Sequence, residues 1–419
     1  MPGATPPIHD VAHLALRLGR VMLINGADTA HVQDAVLDFA QRFGFQAHLL
    51  VHAEGLLLTL EDASGFRTKI GRPVAALAVN MDALVAIERI RVTAADATIA
   101  GIDSQLDAIE HAPRRYPPWL VVIGIGLTAA ALARLFGGGW TIVGVSLLVG
   151  MVTQALRQGF AGRGTNPIAV AGLAAFGGGA AGAVLMKLFP AESPTLCLVA
   201  AGMILVPGVP LINGVRDTVG NHVGNGIARL LFGTVTVLAI AFGLFLAAGI
   251  AGDALPVGAH FPALPLVQDL LFSALAGAGY ALLFNVPPRL AWACCLCALA
   301  GHGARTALVG VGLDLPLASF AGAFAATFIA RIIGGRTGAP TVTFAFPGVV
   351  AMIPGFFAFQ AGIGGLAIMK AGAAAPTALL GDTIALAVTA MLVTAGIAIG
   401  LCLALAAPFP SSATSRGAP

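Results

Sequence analysis

From residue 117 onward the chain is a succession of long apolar runs: its last 303 residues carry 18 Lys, Arg, Asp or Glu side chains, whereas the first 116 carry 23. A backbone in hydrocarbon has no water to bond, so only helices or closed barrels can cross it, and a helix needs about 20 residues to span about 30 Å. Ten runs meet that length, near 118–136, 139–156, 166–189, 193–213, 226–250, 265–285, 289–309, 315–333, 341–368 and 377–406. The pattern predicts a mainly α-helical membrane protein with about ten transmembrane helices.

The more polar segment 1–116 reads as a small α+β domain. Val11, Leu14, Ala15, Leu18 and Met22 recur at helical spacing, Asp28 is placed to cap a second helix, and Gly44 to end it. Apolar stretches at Phe45–Val51, Leu56–Leu60 and Arg67–Ile70 suggest a three-stranded meander, followed by helical patterns over Val79–Val92 and Ala94–His111. The start of the chain has no basic region before its first apolar stretch, so it does not read as a secretory signal.

A net charge of +3 without any basic cluster excludes nucleic acid as an expected partner. The five cysteines, Cys197, Cys294, Cys295, Cys297 and Cys402, all fall in apolar runs. No second pair answers Cys294 and Cys297, His302 alone does not complete a zinc site, and the His9/His13 pair has no third ligand, so neither metal nor cofactor is expected. No GxSxG, HExxH or paired-aspartate pattern points to an intramembrane hydrolase.

The ten runs divide into two sets of five, 117–250 and 265–406, followed by a tail at 407–419 expected to be disordered. The fourth run contains Pro207-Gly208-Val209-Pro210; the ninth contains Pro347-Gly348 and Pro354-Gly355. Proline removes a helical hydrogen bond and glycine lets the chain unwind, so each of these sites is expected to be a broken helix. Five helices per set would place the second copy upside down, and inverted repeats with matching broken helices point to a transporter that binds substrate near the midplane. Pro207, Gly208, Pro210, Asn213, Arg216, Pro347, Gly348, Pro354 and Gly355 are therefore the expected substrate-binding residues.

An ionisable group at the centre of a spanning helix costs on the order of 2.5–3.5 kcal/mol on insertion scales and persists mainly where it works or is paired. Asp217 is the first candidate for proton coupling, Asp269 and Asp382 the next; Arg216 and Asp217 otherwise read as solvated charges in a loop. A cytoplasmic amino terminus would put ten Lys or Arg residues inside and four outside, which supports that orientation.

The segments Met22–Val32, Arg67–Ile70 and, above all, Val206–Asp217 resemble the threonine/serine exporter family of bacterial inner membranes. Phe346–Gly348 and Ile353–Gly355 are similar to its carboxy-terminal module, which some relatives carry as a separate protein. The resemblance implies efflux of small hydroxylated amino acids driven by protons, with substrate, protons and membrane lipid as partners and a second copy of the chain left open. The split form of the family implies a runner-up, export of four-carbon dicarboxylates, for which Arg216 and Arg305 would serve as cationic anchors. A membrane receptor sensing through residues 1–116 is the alternative from another class.

Overall fold

The computed structural model describes residues 6–63, 65–74, 78–93, 97–189, 194–251 and 264–407. The expected tail beyond residue 407 lies outside them. The amino-terminal elements are α1 (Ile8–Ile24), α2 (Thr29–Arg42), β1 (Gln46–His52), β2 (Gly55–Asp62), β3 (Gly65–Ile70), α3 (Met81–Thr93) and α4 (Ile99–His111). The strands form an antiparallel meander in which Leu49 pairs with Leu58 and Leu58 with Lys69. Alternation on β2 sends Leu56, Leu58 and Leu60 into the core shared with Leu14, Leu18, Val36 and Phe39 of α1 and α2, while every residue of β3 is exposed. Asp28 caps α2, as expected: its carboxylate accepts from the His31 amide.

The remaining chain is helical: α5 (Pro118–Leu135), α6 (Trp140–Ala161), α7 (Pro167–Leu188), α8 (Pro194–Met203), α9 (Gly208–Val219), α10 (Val223–Ala251), α11 (Leu266–Leu283), α12 (Ala291–Gly310), α13 (Leu315–Thr337), α14 (Val342–Val350), α15 (Gly355–Ala371) and α16 (Thr377–Ala406). Prolines at the first positions of α5, α7 and α8 start helices where no amide donor is required. Among the described residues nine helices are long and apolar enough to cross a membrane. The fourth expected run is not one of them. It consists of α8 and α9, 10 and 12 residues long, separated by Ile204–Pro207.

Packing pairs recur between the two sets. α5 packs on α6 as α11 packs on α12; α7 on α10 as α13 on α16; α6 on α8 as α12 on α14; and α9 on α16 as α15 on α10. The first helices of the two sets, α5 and α11, run antiparallel. Gly124, early in α5, faces Leu282, late in α11, and Arg134 at the far end of α5 donates to Gln268 Oε1 at the start of α11 over 2.6 Å.

One expected break is absent. Pro347-Gly348 lies inside α14, which continues to Val350. Proline at 347 cannot donate to the carbonyl four residues back, Thr343, and the Cys294 thiol of α12 donates to that oxygen instead over 3.6 Å. Gly348 permits the close approach this requires, since a Cβ there would lie 2.7 Å from Cys297 Cβ and 3.1 Å from its backbone carbon. In the ninth run the break falls at Ala351–Pro354.

Candidate functional site

Both breaks have the same local shape. Pro207 (φ −77°, ψ 63°) and Pro354 (φ −77°, ψ 48°) each sit at the centre of an inverse γ-turn, closed by Gly208 N–H donating to Val206 O over 2.8 Å and by Gly355 N–H donating to Ile353 O over 2.7 Å. They also interlock reciprocally. A Cβ on Gly208 would lie 2.3 Å from Ile353 Cδ1, and one on Gly355 would lie 2.6 Å from Val206 Cγ2. Each glycine thus receives the side chain preceding the other break's proline.

The first break borders a cavity of about 1010 Å³ whose lining includes Pro207, Gly208, Pro210 and Asn213, with Val350 at the end of α14 just before the second break and Leu23, Gly26 and Val79 from the amino-terminal elements. Its polar lining includes Arg114, Tyr116, Gln154, Arg157, Arg229 and Tyr280, and none of its lining residues is acidic. The sequence reading missed three of these, Gln154, Tyr116 and Tyr280, and counted Arg114, Arg157 and Arg229 as topological charges on the inner side without giving them a place in a site. A signal was available, because Tyr116 and Tyr280 are the chain's two tyrosines.

Arg216 and Asp217 are not solvated loop charges. They lie in α9, under the loop joining α1 to α2. Arg216 pairs with Asp28 at 3.1 Å and donates to Asn213 Oδ1 at 3.2 Å; Asn213 in turn donates to Gly26 O at 3.0 Å. Asp217, 2% exposed, accepts from the Thr29 amide at 2.9 Å and pairs with Arg229 at 3.4 Å, while Arg229 donates to Ala27 O at 2.9 Å. Asn225 closes the seam by donating to Thr29 Oγ1 and Val51 O. Burial alone would push the Asp28 carboxyl up, but the charges of Arg216, His31 and Arg229 outweigh it and hold the group below the ordinary carboxylate value. A second seam lies at the end of α11. There Met81 N–H and Asp82 N–H at the start of α3 donate to Phe284 O and Asn285 O, and Asn285 donates to Asn80 Oδ1 at 2.8 Å.

At the second break Asp269 and Arg305 come together with His302, whereas Asp382 does not join them. Asp269 accepts from Thr306 Oγ1 at 2.8 Å and meets His302 Nδ1 at 2.7 Å. Arg305 lies against His302 Nε2 and reaches Met352 O, within the break, at 3.5 Å. Arginine can only donate, so Nε2 accepts and Nδ1 carries the proton given to Asp269. Asp382 stands apart, exposed near the start of α16. Among the described residues no cluster of His, Cys, Asp or Glu could hold a metal ion.

Comparison with known proteins places this architecture. A family model described as "Putative threonine/serine exporter" matches residues 13–251, and a second, "Threonine/Serine exporter, ThrE", matches residues 269–407. The chain belongs to the threonine/serine exporter family. It is 25% identical to a "Probable threonine/serine exporter" of Mycobacterium tuberculosis over 376 residues, 84% of this chain and 69% of that protein. It is also 27% identical to a "Probable succinate transporter subunit YjjP" of Escherichia coli over 247 residues, 58% of this chain and 95% of that protein. A protein with the same description from Klebsiella aerogenes matches at 27% over 57% of this chain and 92% of its own length. No solved structure matches. The chain is a multi-span membrane protein of an exporter family, built of two modules that the family models match separately.

Proposed function

We propose that this protein is a secondary exporter of small carboxylate-bearing solutes, threonine and serine among them, in a bacterial inner membrane with its amino terminus in the cytoplasm. The observation that carries the reading is the reciprocal interlock of the two Pro-Gly breaks beside the cavity. Unwound backbone at matching places in two helix sets offers amides to a carboxylate and carbonyls to an ammonium. The recurring packing pairs and the antiparallel α5 and α11 support two inverted repeats, 117–250 and 265–406. Rocking one set against the other would part Val206 from Gly355 and Gly208 from Ile353, so that the crossing opens and closes the path.

Proton coupling belongs, in this reading, to Asp269 and His302. His302 Nε2 can take a proton only when Arg305 leaves it, and Arg305 also reaches the Met352 carbonyl at the second break. Protonation would thereby change what holds the break. Asp217, committed to the Thr29 amide and Arg229, serves to dock the amino-terminal elements. Asp382 has no part in the path.

The second reading, four-carbon dicarboxylates, is favoured by the cavity wall, which carries three arginines and no acid. The anchors expected from sequence do not supply it, since Arg216 is held by Asp28 and Arg305 by His302. Counterflow in proteoliposomes, comparing labelled threonine with labelled succinate, decides between the two; a vesicle population that exchanges neither removes the exporter reading.

A further inference from the structure

We propose that Arg157, with Tyr280 and Gln154, forms the carboxylate-binding subsite of the cavity. This inference rests on the exporter reading and names the residues that recognise its substrate.

All three side chains line the same space, and all three have unused bonding capacity. Arg157, only half-buried, makes no hydrogen bond or ion pair with the described residues, in contrast to Arg114, which donates to Leu283 O, and Arg229, which pairs with Asp217. Gln154 is 3% exposed and its Oε1 has no partner. Tyr280 is equally buried, stacks on Phe284, and its hydroxyl makes no hydrogen bond among the described residues. Gln154 and Arg157 lie three residues apart on α6 and so share a helix face.

Chemistry separates their tasks. The guanidinium fork matches the two oxygens of a carboxylate and keeps its charge at any working pH. A tyrosine hydroxyl adds a neutral donor to the same anion, while the Gln154 carbonyl oxygen can accept from an ammonium or hydroxyl two or three bonds away. Arg114 on the same wall strengthens the field for an anion, with no lining carboxylate to cancel it. A half-buried cation without a counter-ion, lining a cavity from a spanning helix, marks a site where a ligand can supply the opposite charge.

A lipid phosphate would satisfy the same fork, so the test separates a soluble carboxylate from a headgroup. Full-length protein in phosphatidylcholine nanodiscs is titrated calorimetrically with L-threonine, L-threonine amide, succinate and succinamide. The wild type should bind at least one acid about tenfold more tightly than its amide. Arg157→Gln should lose that preference, Arg157→Lys should keep part of it, and Tyr280→Phe should weaken the acid more than the amide. Acid and amide bound alike by the wild type, or none of the four bound, overturns the subsite, and this arm needs no variant to fold. So does an Arg157→Gln protein whose acid preference is unchanged, or one altered only in the anionic lipid that it retains by mass spectrometry. Counterflow on the same proteins keeps the two ideas apart: acid-selective binding without movement leaves the subsite and removes the exporter, whereas unchanged selective transport by Arg157→Gln does the reverse.

Discussion

Gly208 and Ile353 meet where the two helix breaks cross, with the Ile353 Cδ1 atom occupying the space that a side chain on residue 208 would take. The reverse contact, Val206 on Gly355, gives the crossing a near two-fold character. Packed this way, the two breaks touch at both glycines, so any movement that parts one contact parts the other as well.

The crossing should tolerate little bulk, and the two kinds of glycine in this region should respond differently. Gly208→Leu is expected to leave insertion and melting temperature near wild type while abolishing counterflow, because the methyl tip of Ile353 can yield in one state but not throughout a cycle. At Gly348 the neighbours are Cys297 Cβ and the backbone it is fixed to, which cannot yield. Overpacking there costs about 1–3 kcal/mol, so Gly348→Ala should already lower the melting temperature measured in detergent. Equal effects of the two substitutions on stability would show that both glycines serve packing alone.

Docking of the amino-terminal elements should depend on pH through Asp28. Its carboxyl is held below the ordinary value in the folded protein, so its contribution is fully present above the unfolded carboxylate pKa of about 3.9 and is lost as pH falls below that toward the folded value. Limited proteolysis in the 71–74 segment, slow at pH 7, should accelerate below about pH 4. Asp28→Asn should be cut quickly at pH 7 already, and adding Arg216→Gln should restore part of the protection by removing the stranded cation.

Asp217 should behave as a docking group too. Removing one member of a buried pair costs about 3–5 kcal/mol, so Asp217→Asn should lower the melting temperature and expose the same segment to protease. Any variant protein that survives is expected to retain pH-driven transport. Its loss with docking intact, read by the same proteolysis, would return Asp217 to the proton path.

Much of this architecture was legible in the sequence. The period of Val11, Leu14 and Leu18 located α1, because one buried face leaves a periodic trace, and the short apolar stretch Leu56–Leu60 located β2. Pro207 and Pro354 were legible as breaks for a related reason, each being followed by glycine within an apolar run. Pro347 carries the same local signal and gives an unbroken helix, since the rescue of the Thr343 carbonyl comes from Cys294, 49 residues away in sequence. The same limit hid the cavity wall. Arg157 stands just past the apolar run expected to end at residue 156, yet α6 continues to Ala161 and carries it into the cavity. Asp28 read fully as a helix cap, and its second partner, Arg216, lies 188 positions further on. Local chemistry can be read from neighbours; a charge network assembled across helices cannot.

The last prediction concerns His302. Its Nε2 lone pair faces Arg305 and its Nδ1 proton faces Asp269, so the imidazole is neutral between a cation and an anion. An incoming proton must displace Arg305, whose other reach is to the Met352 carbonyl in the second break. Protonation is therefore tied to movement at the crossing, whereas exchange of substrate across an unchanged proton load is not. His302→Gln should retain counterflow, which needs no net proton transfer, and lose accumulation driven by an imposed pH gradient. Asp269→Asn should do the same, because the carboxylate that stabilises the protonated ring is gone. Arg305→Lys should keep some coupling with an altered pH profile, since a single ammonium can hold either His302 or Met352 but not bridge them. Full gradient-driven accumulation by His302→Gln, measured with labelled substrate in proteoliposomes at matched protein content, would remove this cluster from the coupling mechanism.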